Sequence, residues 1–532
     1  MSPRKFATTH KAIRTAVGIV AAVVICLAGA SPAESTVLDS KSKRQAAKAL
    51  REGEYEVAEK KYRELLVKDS KDHDARLGLS FALLKRRMLQ DAYDHAARVV
   101  LADPLSARAH SLLGSAILAS GDFRNSVEEF RTALSINEND SLAVAGLAMV
   151  DFYENRLDAS IRGLRRAVGL EPNEPDYIFQ LGQATARRER YKEAADAYER
   201  FLIIAPKADS DRRDRIRGLI DFLRYLGNQA SLYGVVGKGK SEQRFDAVDG
   251  RPVLRVRVNG EKEPLRFVLD TGSGMSVISQ ETAKKLGVRP VARGGLARAV
   301  GGGGKFEIVY GFLSSLEVGD VRVERVPVYI RQFHDTKVLV DGYLGLSAIS
   351  SFVATVDYGS NTFSLVRHTE ASLARQGVKV AQEPDAQLGV IEIPLRTTAS
   401  GFITGELRVE GIERPQNFII DTGASITVVS QRLAERDEMA AYMQKTTMRV
   451  FGAAGVADDV KLVLLPSVKL GPLMRENIRA AVLDLEPLNE TAGFTQDGIL
   501  GANFLNHFRV AFDFQRGVIR LEPLARQPVK QF

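Results

Sequence analysis

The sequence predicts a multidomain α + β protein with an N-terminal α-solenoid followed by two mainly-β lobes. Two observations predict this fold class. Small and apolar residues recur every 34 residues in the first part of the chain, and one Asp-Thr-Gly stretch occurs twice in the second part. The predicted segments are 1–33, for export; 39–227, helical repeats with a capping helix; 228–248, a polar linker; 249–368, lobe 1; and 385–526, lobe 2.

The first 33 residues have the three parts of a secretory signal. Four basic residues lie within the first fifteen positions, an uncharged apolar run spans residues 16–30, and Ser31-Pro32-Ala33 follows. Because fifteen apolar residues are short for crossing a bilayer, we expect export to the periplasm or the medium, with an uncleaved inner-membrane anchor as the alternative. Cleavage would remove Cys26, the one cysteine. The mature chain would then have no disulfide, no thiolate metal ligand and no cysteine nucleophile.

Composition and charge exclude several classes of function. The formal net charge of +8 includes the four basic residues of the export segment, and no basic run is interleaved with aromatic residues. We therefore expect no nucleic-acid partner. The seven histidines show no paired metal-ligand spacing, so we expect neither a metal nor another cofactor.

Five repeats are in register in the predicted solenoid. One position of the repeat holds a small residue, and the position four residues later is larger in most repeats. This spacing predicts pairs of antiparallel helices that cross closely at the small residue, with an aromatic ring or Leu filling the gap beside it. The small residues are Ala58, Ala92, Ser126, Ser160 and Ala194, and those four residues later are Tyr62, Ala96, Phe130, Leu164 and Tyr198.

This pattern resembles the tetratricopeptide repeat, whose first-helix positions are matched by Leu113-Gly114 and Leu181-Gly182. The aromatic Trp of the family's first helix is absent. The resemblance implies a concave groove for a peptide or partner protein, with a spacer that has no specific ligand as the alternative. Apolar residues at helical spacing in residues 212–226 predict a helix that caps the solenoid.

The second half of the chain is a tandem duplication in pattern. Residues 267–279 (FVLDTGSGMSVIS) return as 418–430 (FIIDTGASITVVS), and residues 341–345 (DGYLG) return as 497–501 (DGILG). Each Asp-Thr-Gly is predicted to be a tight turn between two strands that carries one carboxylate. Two carboxylates held close together cannot both ionise cheaply, so they share a proton and provide an acid and a base at one pH.

The paired motifs resemble the retropepsin-like aspartic peptidases, particularly their bacterial members, and the resemblance covers both lobes. It implies two lobes that meet about a pseudo-twofold axis, with Asp270 and Asp421 as the catalytic pair acting on a peptide substrate. It also implies three further sets of residues. The residues that support the dyad are Thr271, Gly272, Ser273, Thr422, Gly423 and Ala424, and the apolar-Gly elements are Leu344, Gly345, Leu500 and Gly501. The glycine-rich flaps are Gly301, Gly302, Gly303, Gly304, Gly452 and Gly455.

The two lobes differ at Gly274 and Ser425, so lobe 1 is expected to lose a hydroxyl contact that supports its aspartate. The alternative function is a periplasmic peptide-binding or scaffold protein with an inactive protease-like fold. The run 301–305 also suggests phosphate binding, but Phe306 stands where Ser or Thr is required. The connection 368–388 is long enough to pair the lobes of one chain, so a monomer is the predicted active unit.

Overall fold

The computed structural model describes residues 33–207, 210–302, 305–335, 338–367 and 390–524. Apart from Ala33, the predicted export segment lies outside these residues, and so does the connection between the lobes. Within the described part of the chain, no helix has both the length and the hydropathy needed to cross a membrane.

The chain divides into two compact units. The first holds the helices up to Phe152 together with Arg156–Arg213, and the second holds Tyr153–Asn155 and the chain from Asp214 onward. The helices of the described N-terminal region are α1 (Ala33–Arg51), α2 (Tyr55–Lys68), α3 (His73–Lys85), α4 (Leu89–Ala102), α5 (Ala107–Ala119), α6 (Phe123–Ile136), α7 (Ser141–Tyr153), α8 (Leu157–Leu170), α9 (Pro175–Arg187), α10 (Tyr191–Ile204) and α11 (Ser210–Gly227).

The small residues of the 34-residue pattern lie where the paired helices cross. All five are completely buried, and the larger residues four positions later are also buried. The Leu-Gly position of the first helix receives the ring from the second helix, because a Cβ on Gly182 would lie 2.8 Å from Cε1 of Tyr198. The predicted repeat architecture is therefore confirmed at the level of its packing.

We expect Gly146→Ala to destabilise the repeats. A Cβ at this position of α7 would lie 2.2 Å from Cζ of the buried Phe130 on α6. Such overpacking costs about 1–3 kcal/mol in the free energy of unfolding, which thermal or urea unfolding measures. Gly169→Ala on α8 is the control, because no atom lies within 4 Å of the added methyl. Equal effects of the two substitutions would contradict the close crossing of α6 and α7.

An ion cluster joins two helices of the repeats that are far apart in the sequence. Lys85 at the end of α3 forms a salt bridge with Asp176 at the start of α9, and Arg212 contacts the same carboxylate at 3.2 Å. Burial opposes the charge on Lys85, but Asp176 and Glu174 raise the pKa of its ammonium group above the ordinary value. The cluster therefore links α3 and α9, the first helices of the second and fifth repeats.

Two β-lobes and a shared sheet make up most of the second unit. The strands of lobe 1 and the region before it are β1 (Gly234–Gly237), β2 (Lys240–Arg244), β3 (Asp246–Val248), β4 (Arg251–Val258), β5 (Leu265–Leu269), β6 (Ser276–Ser279), β7 (Ala292–Arg298), β8 (Lys305–Val318), β9 (Val321–Arg331), β10 (Gly342–Leu344), β11 (Phe352–Asp357) and β12 (Thr362–Arg367), with helices α12 (Gln280–Lys285) and α13 (Leu346–Ile349). Nine of these strands form one sheet in the order β1-β9-β6-β10-β5-β4-β8-β7, with β3 paired to β4.

Lobe 2 repeats this plan. Its strands are β13 (Ile391–Pro394), β14 (Arg396–Thr397), β15 (Ile403–Val409), β16 (Gln416–Ile420), β17 (Thr427–Ser430), β18 (Met443–Gly452), β19 (Gly455–Leu470), β20 (Leu473–Leu483), β21 (Gly498–Leu500), β22 (Phe508–Asp513) and β23 (Val518–Pro523), with helices α14 (Gln431–Ala434), α15 (Glu486–Ala492) and α16 (Ala502–Leu505) and a 3₁₀ helix (Asp437–Tyr442). Eight strands form the lobe 2 sheet in the order β14-β15-β16-β21-β17-β20-β19-β18.

A third sheet takes strands from both lobes in the order β13-β23-β22-β11-β12-β2. At its centre β11 of lobe 1 pairs with β22 of lobe 2 in antiparallel register, with Val353 opposite Asp513. Phe352 and Phe508, which the duplication makes equivalent, are both buried in the common core. This sheet joins the lobes through backbone hydrogen bonds, and the predicted fold class is confirmed.

The predicted polar linker 228–248 is wrong, because it contains strands β1, β2 and β3, which pair with β9, β12 and β4. Strand β2 (KSEQR) lies at the edge of the shared sheet and buries mainly Ser241, so its polar sequence does not look like a strand. The predicted capping helix also differs. Its residues from Asp214 belong to the second unit, where Phe222 stacks on Tyr310 of lobe 1 with ring centroids 4.1 Å apart.

Candidate active site

Each of the two Asp-Thr-Gly turns follows a central strand of its lobe. Asp270 directly follows β5, and Asp421 directly follows β16. The neighbouring parallel strand holds each turn, because the amide of Asp270 donates to the carbonyl of Leu344 and the amide of Asp421 donates to the carbonyl of Leu500, both at 3.0 Å. The predicted apolar-Gly elements therefore fix the backbone positions of the two aspartates.

Glycine is required directly after each of these leucines. A Cβ on Gly345 would lie 2.5 Å from the carbonyl carbon of Met275, and one on Gly501 would lie 2.6 Å from that of Ile426. In each lobe the strand that supports the aspartate thus passes in backbone contact with the chain that leaves the turn. A side chain at either glycine would push the two apart.

The two threonines of the turns bind the lobes to each other. The hydroxyl of Thr271 donates to the carbonyl of Ile420 at 2.8 Å and accepts from the amide of Thr422 at 3.0 Å. The hydroxyl of Thr422 reciprocates with the carbonyl of Leu269 at 2.7 Å and the amide of Thr271 at 3.2 Å. Both threonines are completely buried, so these four bonds hold the aspartates in a fixed relation without help from water.

The two carboxyl groups lie side by side. The side chains of Asp270 and Asp421 are close enough for each to affect the pKa of the other. The glycines of the opposite turns make room for them, because a Cβ on Gly272 would lie 2.5 Å from Cγ of Asp421 and one on Gly423 would lie 2.8 Å from Oδ1 of Asp270. Both aspartates are half-buried. The structure thus brings the predicted pair together within reach of a shared proton, and the catalytic role of the pair stays a prediction.

The surroundings of the two carboxyls are unequal. Burial and the adjacent Asp421 raise the pKa of Asp270 well above its ordinary value, against a lowering by the Ser273 hydroxyl. Burial also raises the pKa of Asp421, but hydrogen bonds from the amides of Gly423 and Ala424 and from the carboxyl of Asp270 oppose it. The amide of Gly423 lies 2.7 Å from Oδ1 of Asp421. This amide favours the negative charge on Asp421 and the shared proton on Asp270.

The expected loss of hydroxyl support at Gly274 is wrong. Lobe 1 has a hydroxyl one residue earlier, on Ser273, and this hydroxyl lowers the pKa of Asp270. In lobe 2 the corresponding residue is Ala424, whose backbone amide lowers the pKa of Asp421, while Ser425 is exposed to solvent. The difference between the lobes therefore concerns which kind of donor faces each carboxyl, and lobe 1 keeps a supporting hydroxyl.

The dyad predicts a distinct dependence of stability on pH. A carboxyl whose pKa is higher in the folded than in the unfolded state binds more protons when folded, so its contribution to stability is complete at low pH and is lost as pH rises through the folded pKa. We expect the free energy of unfolding of the wild type to fall, relative to an Asp270→Asn/Asp421→Asn double variant, as pH rises above about 4. Thermal unfolding from pH 4 to pH 7 measures this difference, and parallel curves would contradict the shared proton.

The predicted flaps are the ends of two hairpins, β7–β8 and β18–β19, and their tips contact each other. A Cβ on Gly301 would lie 2.8 Å from Cα of Gly452, and one on Gly302 would lie 2.6 Å from Cα of Gly455. Gly301 and Gly302 also have φ angles of +81° and +86°, which favour glycine. The remaining flap candidates, residues 303–304, lie outside the described part of the chain. Strand β8 begins at 305, where a phosphate-binding loop would need a helix.

Sequence reasoning missed two residues near Asp270. Tyr343 directly precedes Leu344, and burial together with the nearby Asp270 raises the pKa of its hydroxyl to about 12. Arg331 ends strand β9, and burial lowers the pKa of its guanidinium while Tyr343 and Asp270 raise it. The signal for Tyr343 was present, because the duplicated element reads DGYLG in lobe 1 and DGILG in lobe 2. Within the described ranges, no group of His, Cys, Asp and Glu side chains is arranged to hold a metal ion.

Comparison with protein families gives matches in both halves of the chain. Residues 254–348 and 405–504 match the model of the aspartyl protease family. Residues 82–141 and 146–209 match a tetratricopeptide repeat model. Among curated proteins, anaphase-promoting complex subunit 3 of Schizosaccharomyces pombe is 29% identical over 123 residues, which are 23% of this chain and 18% of that protein. The chain thus spans less than a fifth of that relative.

Solved structures resemble each half separately. An aspartic proteinase from Irpex lacteus is 14% identical, with a TM-score of 0.35, and the match covers 53% of this chain and 97% of that chain. A thermophilic tetratricopeptide repeat protein from Thermus thermophilus is 20% identical, with a TM-score of 0.31, and the match covers 34% of this chain and 98% of that chain.

Proposed function

We propose that this chain, which combines tetratricopeptide repeats with two aspartyl protease lobes, is an exported aspartic endopeptidase. One observation carries the proposal: the half-buried carboxyls of Asp270 and Asp421 lie beside each other at the junction of the two lobes, each against the glycine of the opposite turn. Two carboxyls with one proton between them hold an acid and a base at the same pH, which hydrolysis of an amide requires.

The unequal surroundings assign a role to each aspartate. The charged Asp421 withdraws a proton from a water molecule held between the carboxyls, and the resulting hydroxide attacks the carbonyl carbon of the scissile peptide. Asp270 donates a hydrogen bond to the oxyanion that forms and so stabilises the developing charge. Collapse of the tetrahedral intermediate breaks the C–N bond as a proton passes to the departing amine, and the dyad retains one proton for the next cycle.

The helical repeats support a protein substrate or partner, since the tetratricopeptide repeat is an interaction module. In the proposal they recruit the protein whose extended segment the lobes cleave. Export of the chain follows from the signal-like N-terminal sequence and remains part of the proposal.

The test is digestion of a denatured protein and of a peptide library by the purified chain between pH 3 and pH 8. Mass spectrometry of the new termini identifies cleaved bonds, and the expected result is turnover of extended peptides without added metal. Stoichiometric binding of the peptides without cleavage across this range would instead favour a peptide-binding scaffold. The concentration dependence of the activity reports the active unit, because a monomer keeps its activity per molecule on dilution.

A further inference from the structure

The walls that the two lobes build beside the dyad differ in chemistry. In lobe 2, Ala481 and Ile499 both pair with Val428, and Leu483 pairs with Ser430, so this wall is aliphatic. In lobe 1 the equivalent strands pair in the same register. There Tyr329 and Tyr343 both pair with Val277, and Arg331 pairs with Ser279. Lobe 1 therefore has two phenols and a cation at the positions where lobe 2 has three apolar side chains.

Arg331 lies among groups from both flaps. Its guanidinium lies over the ring of Phe306, 4.0 Å from the ring centroid, next to the tip of the lobe 1 flap. One of its nitrogens donates to the carbonyl of Ala453, in the turn of the lobe 2 flap. Asp270 of the dyad also raises the pKa of this guanidinium, as expected for a cation near the negative charge that the two carboxyls share. These contacts place the cation in the space between the flaps and the dyad.

The charge of Arg331 is not neutralised by a salt bridge. Among the described residues, no carboxylate lies within 4.0 Å of the Arg331 guanidinium, whereas Arg322 on the same strand pairs with both Glu317 and Glu324. A half-buried cation without an anionic partner is costly. A guanidinium has five N–H donors and can bind a carboxylate through two parallel hydrogen bonds. A carboxylate is therefore the ligand group that would best satisfy Arg331.

Taking the proposed peptidase function as given, we infer that Arg331 selects substrates with a carboxylate on the lobe 1 side of the scissile bond. In an unmodified peptide this group is either an Asp or Glu side chain or the C-terminal carboxylate. The carboxylate replaces the Ala453 carbonyl as the partner of the guanidinium, which couples recognition of the substrate to the position of the lobe 2 flap. The aliphatic wall formed by Ala481, Leu483 and Ile499 favours apolar side chains on the other side.

The experiment compares peptides that differ only by Glu or Gln at each position around a cleaved bond. For the wild type we expect kcat/KM to be about tenfold or more higher with Glu at one position, the range for a hydrogen-bonded charge pair. Arg331→Leu, which installs the residue of lobe 2, should bring this ratio close to one. Arg322→Leu is the control on the same strand and should leave the ratio unchanged.

Amide-capped peptides separate the two sources of the carboxylate. A Glu preference that survives capping assigns the side chain, whereas a preference that appears only with a free terminus assigns the C-terminal carboxylate. Equal loss for the Glu and Gln peptides in Arg331→Leu would overturn the inference and leave Arg331 a structural role. If the wild type cleaves neither peptide, the proposed function fails. The inference about Arg331 is then tested by the dissociation constants of the Glu and Gln peptides for the wild type. Equal dissociation constants would overturn the inference.

Discussion

Asp421→Asn lowers kcat for a cleaved peptide by about 10²–10⁴-fold, the range for loss of a general base. The reason is that the amide cannot accept a proton from water, while its size is kept and its one oxygen can still accept from the amide of Gly423. Asp270→Asn also removes activity, but its amide can still donate a hydrogen bond to the oxyanion. We therefore expect its loss to be the smaller of the two.

The double variant gives a sharper result than either single one. Because the two carboxyls act as one unit, the effects are not additive, and the double variant should lose no more activity than Asp421→Asn alone. Asp459→Asn is the matched control, since Asp459 is exposed in lobe 2 with a φ angle of +53°, which Asn adopts readily. Steady-state cleavage assays measure all four proteins. Unchanged turnover in both single variants would refute the dyad.

The pH profile follows from the same assignment. Activity requires Asp421 charged and Asp270 protonated, so it falls at low pH as Asp421 gains a proton and at high pH as Asp270 loses its own. Since burial and the Asp421 charge raise the pKa of Asp270, the alkaline limb lies above the ordinary range for a carboxyl. Profiles of kcat/KM report these two limbs for the free protein.

Features that repeat along the chain were predictable from the sequence. The 34-residue spacing located the helix crossings, because close packing at one position restricts its side chain in every repeat. The duplicated Asp-Thr-Gly turns located both aspartates and suggested that Thr271 and Thr422 support them. In each case two or more copies of one structural unit require the same residue types at equivalent positions. Matches at a constant spacing in several copies rarely arise by chance.

Features that occur once were not predictable in the same way. The strand β2 has a polar sequence because only one edge of it is paired and few of its side chains are buried. The last part of α11 has an apolar face, but the sequence does not say which surface covers it, and Phe222 packs on lobe 1. Arg331 is a charged residue at the end of a strand. Its position near Asp270 depends on how β9 pairs with β6, and the local sequence does not show this pairing.

The threonine lock leads to the second large effect, a loss of stability in Thr422→Val. Valine keeps the shape of threonine but removes a hydroxyl that makes two bonds across the lobes, to Leu269 and Thr271. The carbonyl of Leu269 and the amide of Thr271 then lose this partner, and both residues are completely buried. Each unsatisfied buried group costs about 1–3 kcal/mol, so the free energy of unfolding should fall by about 2–5 kcal/mol. Urea unfolding measures it.

Two controls separate the lock from the loss of any buried hydroxyl. Thr422→Ser keeps the hydroxyl and should restore most of the stability. Thr404→Val removes a buried hydroxyl whose partners, Phe418 and Gln496, lie in lobe 2 alone. If the lock positions the aspartates, Thr422→Val lowers kcat in the fully folded protein, and Thr404→Val lowers stability without an equal loss of kcat. Equal loss of kcat in both would mean that the general stability of lobe 2, and not the bond between the turns, holds the carboxyls together.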